Sequence, residues 1–421
     1  MSASANGGSR WADRNPSPST ALPFDPFASR LRVLEFLRRG EPISRTEIAR
    51  ETGLGQATVS VITRELLDAG ILREETRAGG SRGRPRIDLM TNSDSLIVAG
   101  AFVDWDGRTT VHIGNLGGAI LAEATTAPPV GVEADTTAEI VESISLALKE
   151  ARKGLPHPDR AIAALGVSLP AMVDAQGGVI HWRPPAEPTR QPLAQLLAQR
   201  LGLPVYLDNI GNTTAMAQRW FGQEAFNDDL CVVLVGAGVA MAQYVDGVIH
   251  RGAHGFNPEF GHVKTGVGAD LPCSCGARGC LALVAGLMGM THLAITRLGW
   301  RGDVFTSHRA AFAWLREKSA SGDCVARDIL DQGGHALGIA LANHIAVWDP
   351  SHIIVLAEDD AWESTVAPGM HAHLQAAIPD MRRDALSLEI RIMQPGILPR
   401  GAIALAMDGI FRARDLTRWN T

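Results

Sequence analysis

The sequence predicts an α/β protein in two parts, a small helical head carrying a basic hairpin and a long body of strands alternating with helices. Two observations lead there. Residues 28–90 hold three short runs with apolar positions at helical spacing, closed by two strand-like runs. From residue 95 onward, apolar strand-like runs alternate with helical ones across glycine turns, the pattern of layered α/β folds. No repeat of fixed period is present.

The 421 residues, 46% hydrophobic and 20% charged, suffice for two or three domains with a substantial core. No run of 18 uncharged apolar residues occurs, and the first residues lack the apolar stretch of a secretory signal. Five cysteines are too few for a disulfide framework, and three of them crowd into positions 273–280. A reduced, cytoplasmic protein with no membrane partner is expected.

Residues 1–26 form a Pro-, Gly- and Ser-rich segment without periodicity and are expected to be disordered. A first helix is predicted over 28–39, with Leu31 and Leu34 on its apolar face. Ser44 stands three residues before Glu47, a capping box that opens a second short helix ending at Thr52. Gly53-Leu54-Gly55 makes a tight turn. A third helix follows from Gln56 to Ala69, with Val59, Ile62, Leu66 and Leu67 facing inward and Gly70 stopping it. Residues 71–75 and 87–90 read as strands, linked by a segment holding Arg82, Arg84 and Arg86 among glycines. Three helices and a basic hairpin make residues 27–92 a winged helix-turn-helix.

In the body, from residue 93 to 421, strands are predicted at 96–103, 109–113, 120–122, 162–168, 205–207, 230–235 and 353–356. Helices are predicted at 136–152, 193–200, 212–221 and 330–347.

Charge divides unevenly. Residues 1–92 hold 14 Arg, no Lys and 11 acids, while the rest of the chain is acidic enough to bring the total to −6. A modest basic excess in the head fits a nucleic-acid surface confined there. In a helix-turn-helix the second helix of the motif enters the major groove. Here that helix offers Gln56, Thr58, Ser60, Thr63 and Arg64 for base edges or phosphates, and Ala57 or Val61 for a thymine methyl. The wing's Arg82, Arg84 and Arg86 have the reach for backbone or minor-groove contact. The expected partner is double-stranded DNA, read by a dimer as a palindromic operator.

Cys273, Cys275 and Cys280 lie within eight residues, and His262 precedes them by eleven. Three cysteines and a histidine complete a tetrahedral Zn2+ site with no position open for water, which points to a structural ion. Gly276 and Gly279 would let the backbone wrap the ion. The second imidazole nitrogen of His262 would then be aimed at a ligand hydroxyl or at Glu259. Cys231 and Cys324 are expected in the core.

These motifs resemble the ROK family (repressors, open reading frames, sugar kinases), on its repressor branch. Gly53-Leu54, Thr58-Val59-Ser60 and Gly83-Arg84-Pro85 resemble the DNA-binding half. Gly166-Val167-Ser168-Leu169-Pro170, Glu259-Phe260-Gly261-His262 and Cys273-x-Cys275-Gly276-x-x-Gly279-Cys280-Leu281 resemble the body's motifs. The resemblance implies a two-lobed, actin-like or hexokinase-type body with a sugar cleft, assembled as a homodimer or homotetramer. It implies a transcriptional regulator whose operator affinity responds to a small-molecule effector, a sugar or sugar derivative, held by Asn209, Glu259 and His262. Arg183 falls in the segment that closes over the sugar.

The departures from the family pattern concern catalysis. The first phosphate loop reads Phe102-Val103-Asp104-Trp105-Asp106, without its glycine pair. The second reads Gly236-Ala237-Gly238-Val239-Ala240, without its Thr, and Ala357-Glu358 replaces a glycine pair. Ile210 stands where kinases carry the general-base Asp, and Ala282 where they carry a sugar-gripping Glu. No kinase activity is expected. Loss of two acceptors for sugar hydroxyls implies either a less hydroxylated or differently charged ligand, or a vestigial cleft under a ligand-independent regulator.

Overall fold

Three helices packed on a hairpin open the computed structural model, which describes residues 26–38, 41–77, 86–127, 137–183, 190–222, 228–256 and 258–412. The predicted disordered segment 1–26 lies outside the described residues except for Pro26, the first residue of the first helix. Helix α1 (Pro26–Leu37) buries Val33, Leu34 and Leu37. Helix α2 (Arg45–Thr52) carries the expected capping box: the Ser44 hydroxyl accepts from the Glu47 amide at 3.3 Å, and the Glu47 carboxylate accepts from the Ser44 amide at 3.2 Å. Gly53 closes it at φ +70, a left-handed conformation that suits glycine. Helix α3 (Gln56–Asp68) buries Val59, Ile62 and Leu66. Strands β1 (Leu72–Arg77) and β2 (Arg86–Thr91) pair antiparallel from Leu72 opposite Thr91 to Arg77 opposite Arg86. The wing tip, with Arg82 and Arg84, lies outside the described residues, as does the side chain of Arg86.

The first lobe of the body contains β3 (Ile97–Val103), β4 (Thr109–Asn115), β5 (Ile120–Thr126), α4 (Thr137–Lys153) and β6 (Leu165–Leu169). A small hairpin of β7 (Met172–Asp174) and β8 (Val179–Trp182) follows, then α5 (Leu193–Leu201), β9 (Val205–Asn209) and α6 (Ile210–Phe221). The sheet runs β5-β4-β3-β6-β9, antiparallel on the first side and parallel on the other.

The second lobe repeats this plan. Its strands are β10 (Leu230–Val235), β11 (Val239–Val245), β12 (Val248–Ile249), β13 (His352–Ala357) and β14 (Ser387–Ile392), ordered β12-β11-β10-β13-β14. Between β12 and β13 come the turn Phe260–His262 and helices α7 (Ala282–Ala285), α8 (Leu287–Leu298), α9 (His308–Ala320) and α10 (Cys324–Trp348). Between β13 and β14 lie α11 (Trp362–Thr365), α12 (Ala367–Ala377) and α13 (Asp380–Arg383). Cys231 is buried as expected, but Cys324 is exposed, because it opens α10 rather than sitting within its apolar stretch.

Helix α14 (Ile397–Phe411), which the sequence did not announce, returns to the first lobe and packs on β3, β6 and α6. Gly100 and Gly166 face each other across β3 and β6, and a Cβ on either would strike the α14 backbone. Their bare backbone lets the helix lie close to the sheet.

The head shares a core with this lobe. Leu31 and Leu34 of α1, Met216 and Trp220 of α6, and Ile410 and Phe411 of α14 belong to one apolar cluster. At its edge α6 and α1 are joined by a buried ion pair, Arg219 Nε to Glu35 Oε1 at 2.8 Å, each side chain 5% exposed. Among the described residues no helix is long and apolar enough to cross a membrane.

Candidate functional site

The outer face of α3 presents Gln56, Ala57, Ser60, Val61 and Arg64 to solvent, with Thr58 half-buried. Val61 is 60% exposed, a large apolar side chain left open among the described residues. Thr63 corrects the sequence reading: it is fully buried, and its hydroxyl donates to the Ser60 carbonyl and accepts from Arg45. A threonine hydroxyl can satisfy itself on its own helix, so its polarity did not mark an outward position.

The second cluster lies on the loop between the 260–262 turn and α7. His262, Cys273, Cys275 and Cys280 bring one donor atom each within 4.8 Å of one another. Cys275 Sγ and Cys280 Sγ are 3.6 Å apart, and Cys273 Sγ is 3.7 Å from His262 Nδ1. A tetrahedral ion with Zn–S near 2.3 Å requires sulfur pairs separated by roughly 3.8 Å, so this donor set fits a four-coordinate metal. Gly276 at φ +84 turns the loop as predicted. Lys264 donates to Cys280 Sγ at 2.9 Å, placing a cation against the thiolate-rich cluster. His262 Nε2 faces the other way, 3.8 Å from Glu259.

That loop forms one wall of a cleft of about 420 Å³ between the lobes. Asn209, Glu259 and His262 all line it. Asn209 is also the N-cap of α6, accepting from the Asn212 amide at 2.9 Å. Burial pushes the Glu259 carboxyl up to about 7. Arg183 does not line the cleft. It is buried and donates to the Asp104 carbonyl at 2.6 Å, a tie from the strand-β8 end to the loop after β3.

Ile210 lines the cleft next to Asn209. The neighbouring Asp208 is buried, 2.7 Å from Arg251, and accepts from the Asn209 amide and the Asn212 side chain.

At the turn after β10 a carboxylate of the chain itself meets the backbone. Gly236 and Glu358 follow the parallel strands β10 and β13, so the two chain ends lie side by side. Glu358 Oε2 accepts from the Ala237 amide at 2.9 Å, and its other oxygen meets Arg309. Burial pushes the Glu358 carboxyl up, but His308 and Arg309 outweigh it and hold it below the usual range, so it is ionised. The Trp105 ring lies against Gly238, 3.5 Å from where a Cβ would stand. Sequence motifs named Trp105 and Glu358; Met288, Phe305, His308 and Arg309 on the far wall belong to no motif.

Fold and site define a two-lobed body of the actin and hexokinase type, bearing a helical head and a cysteine-rich loop beside its cleft. The chain belongs to the ROK family, on its transcriptional-regulator branch: the ROK family profile matches residues 108–391, and a MarR family profile matches residues 27–83 of the head. It is 26% identical over 340 residues to the xylose repressor of Caldicellulosiruptor bescii, covering 78% of this chain and 82% of that protein. It is 24% identical over 335 residues to the DNA-binding transcriptional dual regulator NagC of Escherichia coli, covering 79% and 80%. In fold it is similar to a ROK family transcriptional regulator described as a homologue of the E. coli MLC protein, with TM-score 0.73, 23% identity, and 94% and 99% of the two chains covered. A ROK family glucokinase from Streptomyces griseus shares the body fold, with TM-score 0.59, 23% identity, and 74% and 98% covered.

Proposed function

We propose that this protein is a DNA-binding transcriptional repressor of sugar-related genes, that a small molecule in the interlobe cleft sets its operator affinity, and that it does not phosphorylate sugars. The observation that carries the reading is the path of α6. Its first turn holds Asn209 in the cleft, and its last turn holds Arg219 and Trp220 against the head. A ligand that moves the N-cap of a single 12-residue helix has a short mechanical route to the reading head. The ligand must prefer one head placement over another, since an effect on operator affinity is a coupling free energy.

Absence of phosphoryl transfer is supported by the Glu358 carboxylate on the Ala237 amide, by Trp105 over Gly238, and by Ile210 in place of an acceptor for a hydroxyl proton. Phosphate cradles work through free backbone amides, and here one of them already holds an anion. The metal is assigned as a structural Zn2+, held by His262, Cys273, Cys275 and Cys280, because the four protein donors leave no site for reactive water. It braces the cleft wall that carries His262.

A homodimer or homotetramer would present two α3 helices to a palindromic operator, at a half-site spacing of about 34–36 Å. In this reading Gln56, Ser60, Val61 and Arg64 meet the major groove. Arg64→Ala is expected to weaken operator binding and to lower the salt slope of log K by about 1, as loss of one phosphate contact does. Anisotropy titrations between low and moderate salt measure both. An unchanged slope and affinity would remove Arg64 from the DNA face.

A further inference from the structure

Resting on the reading of the cleft as a sensory site, we propose that its ligand is a neutral glycoside, a hydroxylated ring carrying an apolar aglycone, rather than a free sugar or a sugar phosphate. The cleft holds groups suited to ring hydroxyls and, beside them, a broad apolar surface. Asn209, Glu259 and His262 gather there, within reach of ring hydroxyls. At that same end of the cleft, two positions that a hydroxyl-binding site would make polar are Ile210 and Ala282.

The cavity then continues to the second-lobe turn at Gly236, where apolar side chains flank the paired charges of Glu358 and Arg309. Trp105 lies over Gly238. Met288 sits on the other side of the same turn, its amide donating to the Ala237 carbonyl at 2.9 Å. Phe305 and Phe102 extend this surface. A cavity of about 420 Å³ falls in the range of about 300–1,000 Å³ that holds small organic ligands. An apolar group bound against Trp105 and Met288 exchanges water for aromatic and thioether surface.

The groups that could take an anion at the Gly236 turn are already paired. Glu358 stands at the Gly236 turn, where a phosphate would have to sit, and is held below the usual carboxylate range. The cation best placed to meet a phosphate, Arg309, is engaged by Glu358. The Ala237 amide, which would otherwise cap an anion, donates to that same carboxylate.

The test uses the full-length protein and calorimetric titration with glucose, xylose, galactose and N-acetylglucosamine, their phenyl glycosides in both anomers, and their phosphates. At least one phenyl glycoside is expected to bind about tenfold or more tighter than its parent sugar. Trp105→Ala and Met288→Ala, each at a half-buried position, are expected to erase that advantage while leaving the parent sugar's affinity and operator binding unchanged. A free sugar that binds as tightly as its phenyl glycoside, or a sugar phosphate that binds tighter than both, would overturn the inference and leave the sensory cleft standing. If no compound binds while operator binding persists, the sensory reading itself falls, and the inference with it.

Discussion

Arg219→Met is expected to destabilise the protein by about 3–5 kcal/mol, the cost of leaving one member of a buried ion pair alone. Arg219 is held from several sides. Its Nε donates to Glu35 at 2.8 Å, its Nη1 donates to the Gly247 carbonyl at 2.9 Å, and its guanidinium lies 4.7 Å from the Tyr244 ring centre. Burial already raises the Glu35 carboxyl, and Arg219 is the main force opposing that rise. Without Arg219 the folded state would bind a proton that the unfolded chain releases. The deficit should therefore grow as pH rises above the ordinary glutamate value of 4.5 and shrink below it. Urea denaturation across that range measures both effects. The double variant Glu35→Leu with Arg219→Met should recover most of the stability, since apolar groups of similar volume often replace a buried pair without loss. It should also respond less to a cleft ligand in operator binding, because the directional contact between α6 and α1 is gone. Full stability in Arg219→Met would show that the pair does not hold the head to the body.

Removal of the metal is the second large effect. Chelation under mildly denaturing conditions should release one zinc per chain and lower Tm by about 10 °C or more. Structural zinc contributes about 10–16 kcal/mol in small peptides, and domains of roughly this size lose about 2–4 °C per kcal/mol. Much of the loop's order here comes from the folded body, so only part of that energy is at stake. Cys280→Ser should reproduce the loss, because Cys280 is fully buried at the base of the loop. Ligand affinity should fall with it, since Cys273, Ser274 and His262 line the cleft. Operator binding at low salt should survive, because the loop belongs to the second lobe. Calorimetry and a colorimetric zinc assay provide the readouts; a Tm unmoved by metal loss would contradict a structural ion.

What the sequence made legible was local. The Ser44–Glu47 box, the Gly53 stop and the cysteine spacing act over a few residues, so their geometry follows from chemistry near in the chain. The alternation of strands and helices likewise located the five strands of the first sheet, but only β10 and β13 of the second. Side-chain direction was less legible. Thr63 turns inward because its hydroxyl finds partners on its own helix and on Arg45, and Arg183 is drawn to a carbonyl 79 residues away. The contacts that join the parts were not legible at all. The Arg219–Glu35 pair spans 184 positions, and α14 reaches back to β3 through two glycines that no short motif explains. Arg309 and Met288 came to the cleft through helices whose sequence periodicity speaks only of their own core faces.

Operator affinity measured on the full-length protein, at one fixed salt concentration, with and without a saturating ligand shown by calorimetry to occupy the cleft, decides whether the body senses for the head. The path of α6 predicts an affinity change of at least about fivefold, the lower end of ordinary allosteric coupling, with no ADP formed when ATP is present. A ligand that fills the cleft and leaves operator affinity unchanged, or that is phosphorylated at an enzymatic rate, would contradict it.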